Sequence, residues 1–131
     1  MRNQPFASLV GVTVLLIEPE AEARAFYTQQ LSSIDMIVIA YDTLAALQQS
    51  AKLENPDVVV VNPTANLRSG IATVRALKQD FPNLPIITMA MTIPDATIDA
   101  IMESGASFHI NRGLTKPRDL LLALEQVLTN S

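Results

Sequence analysis

Four residues stand just past apolar runs: Glu18 after Val14 to Ile17, Asn62 after Val58 to Val61, Ala90 after Pro85 to Met89, and Arg112 after Ser107 to Ile110. They supply a carboxylate, a carboxamide, a methyl group and a guanidinium. In an open parallel sheet the residues beyond the carboxyl ends of the strands line the functional crevice, so these four are expected to converge. A direct ion pair between Glu18 and Arg112 is one expectation, with Asn62 hydrogen-bonding one partner. Two solvated charges at a rim, contributing little to stability, are the alternative.

The chain contains no cysteine, which removes disulfides, thiol catalysis and thiolate metal sites together. No Ser-His-Asp order, histidine-rich metal spacing or Walker loop occurs. The turn Glu18-Pro19-Glu20 lacks the glycine that lets a backbone approach a pyrophosphate. The reading is therefore a non-enzyme with no catalytic residue, metal site or cofactor. His109 is the single histidine, read as an ordinary half-exposed strand residue in preference to a pH-sensitive switch.

The elements that must position these residues alternate along the chain. The five apolar runs are Val14 to Ile17, Met36 to Ala40, Val58 to Val61, Pro85 to Met89 and Ser107 to Ile110. Helical spacing separates them. Ala23, Phe26, Tyr27, Leu31 and Ile34 form the first stripe, and Asp42 or Thr43 can cap a second helix carrying Leu44 and Leu47. Ser69 can cap a third helix, with Ile71, Val74, Leu77 and Phe81 on its face. Pro94-Asp95 opens a fourth with Ile98, Ile101 and Met102, and Gly105 is placed to end it. Thr115 precedes Lys116-Pro117, the start of a fifth helix whose buried face is Leu120, Leu121, Leu124, Val127 and Leu128. Met89, Met91 and Met102 are read as core or near-core packing. Five strands alternating with five helices through short loops imply an α/β three-layer αβα sandwich around a parallel sheet.

At 131 residues the chain fits one domain, with 49% hydrophobic residues. Residues 1–11 are expected to be a short N-terminal leader and 12–131 the domain. The net charge of −4 and scattered basic residues argue against direct nucleic-acid binding. No apolar run reaches the ~20 residues needed to cross a bilayer. Phe6 to Ile17 followed by Ala21 to Ala23 mimics a signal peptide, but Glu18, Glu20 and Glu22 crowd the cleavage point, so a cytoplasmic location is expected.

Pro56-Asp57 before the third strand, Gly70 at the third helix, Pro85-Ile86-Ile87 in the fourth strand and Gly105-Ala106 before the fifth together carry a resemblance over about residues 12–129. The chain resembles the response-regulator receiver domains of two-component signalling and phosphorelay. The resemblance implies a flavodoxin-like (βα)5 fold with strand order 2-1-3-4-5. It places the family's acidic pair on Glu18 and Pro19, the phosphoacceptor aspartate on Asn62, the hydroxyl residue on Ala90, the lysine on Arg112 and the aromatic switch on His109. Each substitution removes part of the phosphate chemistry. Asn62 is no carboxylate nucleophile, Pro19 offers no metal ligand, Ala90 has no hydroxyl, and a guanidinium does not replace an ammonium.

The resulting reading is an atypical pseudo-receiver, acting without phosphorylation through protein contacts. A signalling or regulatory partner is expected, with a homodimer as a further possibility. With no output module after the fifth helix, contact is the expected mode of action. Ile98, Ile101 and Leu122 are candidates for a contact face around helix four, strand five and helix five. Two alternatives stand beside it: a divergent but functional phosphoacceptor using Glu18 or Glu20, and a small α/β ligand-binding protein using Arg112 for an anionic ligand.

Overall fold

The computed structural model describes residues 6–50, 55–62, 67–90, 93–111 and 116–129. Its strands are β1 (Thr13–Ile17), β2 (Ile37–Tyr41), β3 (Val58–Val61), β4 (Ile86–Ala90) and β5 (Phe108–Asn111). Between them run α1 (Ala21–Ser32), α2 (Leu44–Ser50), α3 (Leu67–Asp80), α4 (Asp95–Glu103) and α5 (Pro117–Thr129). The strands form one parallel sheet in the order β2-β1-β3-β4-β5, as the resemblance implied. Strands β2, β4 and β5 each lie one residue later than the apolar runs. Ala90 thus ends β4 within the sheet, opposite Asn111, and does not lie beyond it.

Alternation along the central strands divides the core in two. Val14, Leu16, Val58, Val60, Ile87 and Met89 pack with Leu31 of α1 and Leu120 and Leu124 of α5. Leu15, Ile17, Val59, Val61 and Ile86 face the other way, against Leu47, Val74, Leu77 and Ile101 of α2, α3 and α4. Val58 to Val61 is buried throughout because helices cover both faces of the sheet. Asp57 sets the β1–β3 register at its start. Its Oδ2 accepts the Thr13 N–H at 2.8 Å, while its own N–H donates to the Thr13 carbonyl at 2.9 Å.

Local signals mark most helix ends. Thr43 Oγ1 accepts the Ala46 N–H at 3.1 Å and caps α2. Asp119 Oδ2 accepts the Lys116 N–H at 2.7 Å ahead of Pro117. Helix α4 ends at Gly105 (φ +126°), where the Gly105 and Ala106 N–H groups return to the Met102 and Ile101 carbonyls. A Cβ on Gly105 would lie 2.6 Å from Lys78 Cγ, so this turn also admits the α3 side chain.

Several expectations change in three dimensions. Helix α3 starts at Leu67, so Ser69 lies inside it and is not its cap. Phe26 is exposed because the buried stripe of α1 runs Ala23–Tyr27–Leu31 and Phe26 sits about 100° off its centre. Ile101 is 2% exposed and belongs to the sheet-facing core, which removes it from the contact-face candidates. Met102, one residue on, is exposed and outside the core. Met91 and Thr115 lie outside the described residues. Packing also reaches back into the leader: Leu9 is fully buried, Phe6 packs on the same core, and Ser8 Oγ donates to Glu125 Oε2 at 3.0 Å.

Candidate functional site

The register that pairs Ile17 with Val61 makes the next residue on each strand a neighbour. The Asn62 N–H donates to the Ile17 carbonyl at 2.9 Å, and Glu18 and Asn62 meet side by side. Glu18 is fully buried. Asn62 Nδ2 donates to Glu18 Oε1 and Oε2, each at 3.1 Å. The Glu20 N–H donates to Glu18 Oε2 at 3.0 Å, closing the tight turn into α1. Arg24, one helical turn on, donates from Nη1 to the Glu18 carbonyl at 2.8 Å and reaches the Pro19 carbonyl at 3.4 Å. Burying a carboxylate is costly unless hydrogen bonds compensate it, and the Asn62 amide and the Glu20 N–H are among the groups that do so here.

Of the residues expected to converge, Glu18 and Asn62 therefore do. Pro19 is an exposed turn residue beside them. Ala90 is buried at the end of β4, next to Asn111. Arg112, and with it the proposed Glu18–Arg112 ion pair, lies outside the described residues. Arg24 was missed as a site residue. Its signal is the four-residue step from Glu20, which places its side chain over the turn that precedes the helix.

A second polar contact crosses β4 and β5. Thr88 is fully buried, and its Oγ1 lies 2.7 Å from His109 Nδ1, its register partner. Thr88 Oγ1 also reaches the Phe108 carbonyl at 3.4 Å. His109 Nε2 is buried and has no hydrogen-bond partner among the described residues. Burial holds the His109 imidazole below its ordinary pKa. Thr88 was missed too, although it is the one polar residue in the run Pro85 to Met89.

The response regulator receiver domain family matches residues 14–125. The chain belongs to that family. Solved structures agree on the fold of this receiver. A response regulator from Thermotoga maritima superposes with TM-score 0.81 at 16% identity, covering 92% of this chain and 99% of that one. An orphan response regulator of H. pylori gives TM-score 0.77 at 17% identity, covering 89% and 96%. The beryllofluoride-activated N-terminal receiver domain of Klebsiella pneumoniae RstA gives TM-score 0.78 at 23% identity, covering 88% and 97%. No curated protein sequence matches the chain. Receivers are signalling domains that work through protein partners. Among the described residues no group of three or more His, Asp or Glu side chains is arranged to hold a metal ion. No helix among them is long and apolar enough to cross a membrane.

Proposed function

We propose that this receiver signals without being phosphorylated, through contact with a protein partner. The observation that carries the reading is the Glu18–Asn62 pair. Phosphoryl uptake by a receiver needs a carboxylate nucleophile facing a hydrated magnesium ion. Here the side chain after β3 is a carboxamide. The remaining carboxylate is fully buried, with both oxygens engaged by Asn62 Nδ2 and one also by the Glu20 N–H. Pro19 contributes no side-chain ligand. A magnesium ion would have to displace these hydrogen bonds to reach Glu18, and among the described residues no group of three acidic or histidine side chains is arranged to hold it, so this donor set does not fit the ion. Asn62 is followed by Pro63, which has no N–H to cyclise onto the amide, so conversion to aspartate by deamidation is disfavoured.

The contact face includes the exposed Met102 and Leu122, on the two helices that pack against β5, with the half-buried Ile98 on the same helix as Met102. A partner of matching apolar character, or a second copy of the chain, would cover them. The test is an amide-resolved NMR titration with magnesium, then beryllofluoride, then a small phosphodonor, followed by intact mass. The expected result is unchanged resonances at Glu18, Asn62 and Thr88 and no added phosphoryl group. Saturable shifts there together with a phosphoryl mass gain would overturn the reading in favour of a rearranged phosphoacceptor.

A further inference from the structure

The two edges of the sheet are protected to different degrees. Strand β5 carries His109 and Asn111 among its residues. Strand β2 reads Ile-Val-Ile-Ala-Tyr from Ile37 to Tyr41, with no charge and no proline, and it pairs with β1 residue for residue, without a bulge. Charges, prolines and bulges are the devices that keep strand edges from pairing with other chains, and β2 has none of them. The helices beside it leave it open: Ile37 is 53% exposed, and Ala40 is exposed as well.

The open edge has a defined hydrogen-bonding pattern. The Ile37 N–H donates to the Val12 carbonyl at 2.9 Å, and the Tyr41 carbonyl accepts the Glu18 N–H at 3.0 Å. Main-chain groups of alternate residues point to opposite sides of a strand, so Ile37, Ile39 and Tyr41 serve β1. The N–H and C=O groups of Val38 and Ala40 therefore point outward, and among the described residues nothing bonds to them. Donors and acceptors alternating along an edge in this way fit one kind of partner, an extended strand.

We infer that this strand is β2 of a second copy of the chain, paired antiparallel about a two-fold axis at Ile39. Val38 of each copy then lies opposite Ala40 of the other, and each such pair exchanges two N–H···O=C bonds, which uses every outward group of both strands. Other centres fail. An axis at Val38 sets Ala40 opposite Met36, whose N–H is already given to the Leu31 carbonyl at 3.2 Å. An axis at Ala40 sets Val38 opposite Asp42, past the end of β2. Centred on Ile39, the side chains match as well. Ile37 shares the strand face of Ile39 and Tyr41, which pack on the core beneath α2. It meets Tyr41 of the copy, a β-branched residue against an aromatic one, and the two-fold makes that pair twice. A two-fold contact closes after two copies, whereas β2 set on a free β5 edge would propagate into a filament. The dimer leaves Met102 and Leu122, beside the far edge of the sheet, uncovered on both copies.

The test is sedimentation velocity of the whole chain from about 5 to about 500 μM, a range that brackets a weak interface, with amide hydrogen exchange at both ends of it. The edge is short, and the two-fold brings Asp35 of one copy near Asp42 of the other, so a dissociation constant on the order of 10–100 μM is expected. The Val38 and Ala40 amides should exchange freely in dilute protein and become protected at high concentration. Those of Ile37, Ile39 and Tyr41 should be protected throughout. Ala40→Pro removes an outward N–H without touching a bond to β1, and Ile37→Lys replaces the paired side chain at an exposed position. Each should weaken the dimer about tenfold or more. If Ala40→Pro folds poorly, Ile37→Lys and the exchange pattern of the parent still decide. A chain that stays monomeric, a dimer indifferent to Ile37→Lys, or protection around Met102 and Leu122 in place of Val38 and Ala40 would each overturn the proposal. Phosphate and partner proteins take no part in the experiment, so its failure would leave the signalling reading standing.

Discussion

Glu18 and Thr88, the fully buried polar side chains among the described residues, each make a contact across neighbouring strands, and the two contacts are built on opposite terms. Between β1 and β3, the Glu18 carboxylate is surrounded by donors: Asn62 Nδ2 on both oxygens and the Glu20 N–H on one. Between β4 and β5, Thr88 satisfies only one nitrogen of His109, and the other stays buried without a partner among the described residues. A buried charge tolerates no missing donor, whereas a neutral imidazole tolerates one at moderate cost. The first contact is therefore expected to be rigid and dependent on both members. The second is a weak point that the fold carries.

Changing the first contact should give the largest effect. Asn62→Asp would set a second carboxylate against the fully buried Glu18 at about the same separation, from a half-buried position. A loss of ~2 kcal/mol is expected at neutral pH, the cost of setting like charges together where only one of them is fully buried. Urea unfolding should show that deficit shrinking on acidification, as one carboxyl of the pair takes up a proton. A deficit that does not change with pH would mean that the two groups move apart and that the site is less rigid than the hydrogen bonds indicate. On the proposed assignment of Asn62 to the phosphoacceptor position, Asn62→Asp also supplies a carboxylate after β3, so the same sample tests whether that carboxylate is enough for phosphoryl uptake.

Thr88→Val should cost less, ~1 kcal/mol, because it removes one hydrogen bond to a neutral group and leaves His109 Nδ1 unpaired as well. Thermal or urea unfolding measures it directly.

A smaller effect follows from the lowered pKa of His109, caused by burial. Below the ordinary histidine range the unfolded chain binds a proton that the folded protein resists. Unfolding then takes up protons, and stability rises with pH. The contribution is complete above the unfolded value of 6.5 and is lost as pH falls towards the folded value. Unfolding curves at pH 7.5 and 5.0 should show this trend in the parent protein and a weaker one in His109→Phe.

The smallest change is expected from the double variant Thr88→Val with His109→Phe. Replacing both polar partners by apolar groups of similar shape removes the orphaned nitrogen together with its neighbour, and stability should change by no more than about 0.5 kcal/mol. If the double variant is as damaged as Thr88→Val alone, the Thr88–His109 contact has a role that hydrogen bonding does not explain.

The two contacts were not equally legible. Glu18 and Asn62 could be paired in advance because each directly follows an apolar run, and parallel strands in register bring such residues together. Thr88 and His109 lie inside their runs, where adjacency depends on a register that local sequence does not encode. Arg24 was hidden for a related reason. Its partners are backbone carbonyls of a turn, which carry no residue-type signal. Phe26 and Ile101 were misplaced because helical spacing identifies a stripe but leaves its centre undetermined by about one residue either way.

The sequence by itself determined the alternation of strands and helices, the two-sided burial of Val58 to Val61, the chain reversal at Gly105 and the carboxamide of Asn62 directly after β3. Each is a local property of residue type, hydrophobic period or backbone freedom. Tertiary structure decided that Glu18 is wholly enclosed, that its oxygens are taken by Asn62 and the Glu20 N–H, that Leu9 belongs to the core, and that β2 lies at an open edge of the sheet. Those outcomes depend on which distant groups meet once the sheet is in register, since enclosure and hydrogen-bond supply are set by neighbours in space and not by neighbours along the chain.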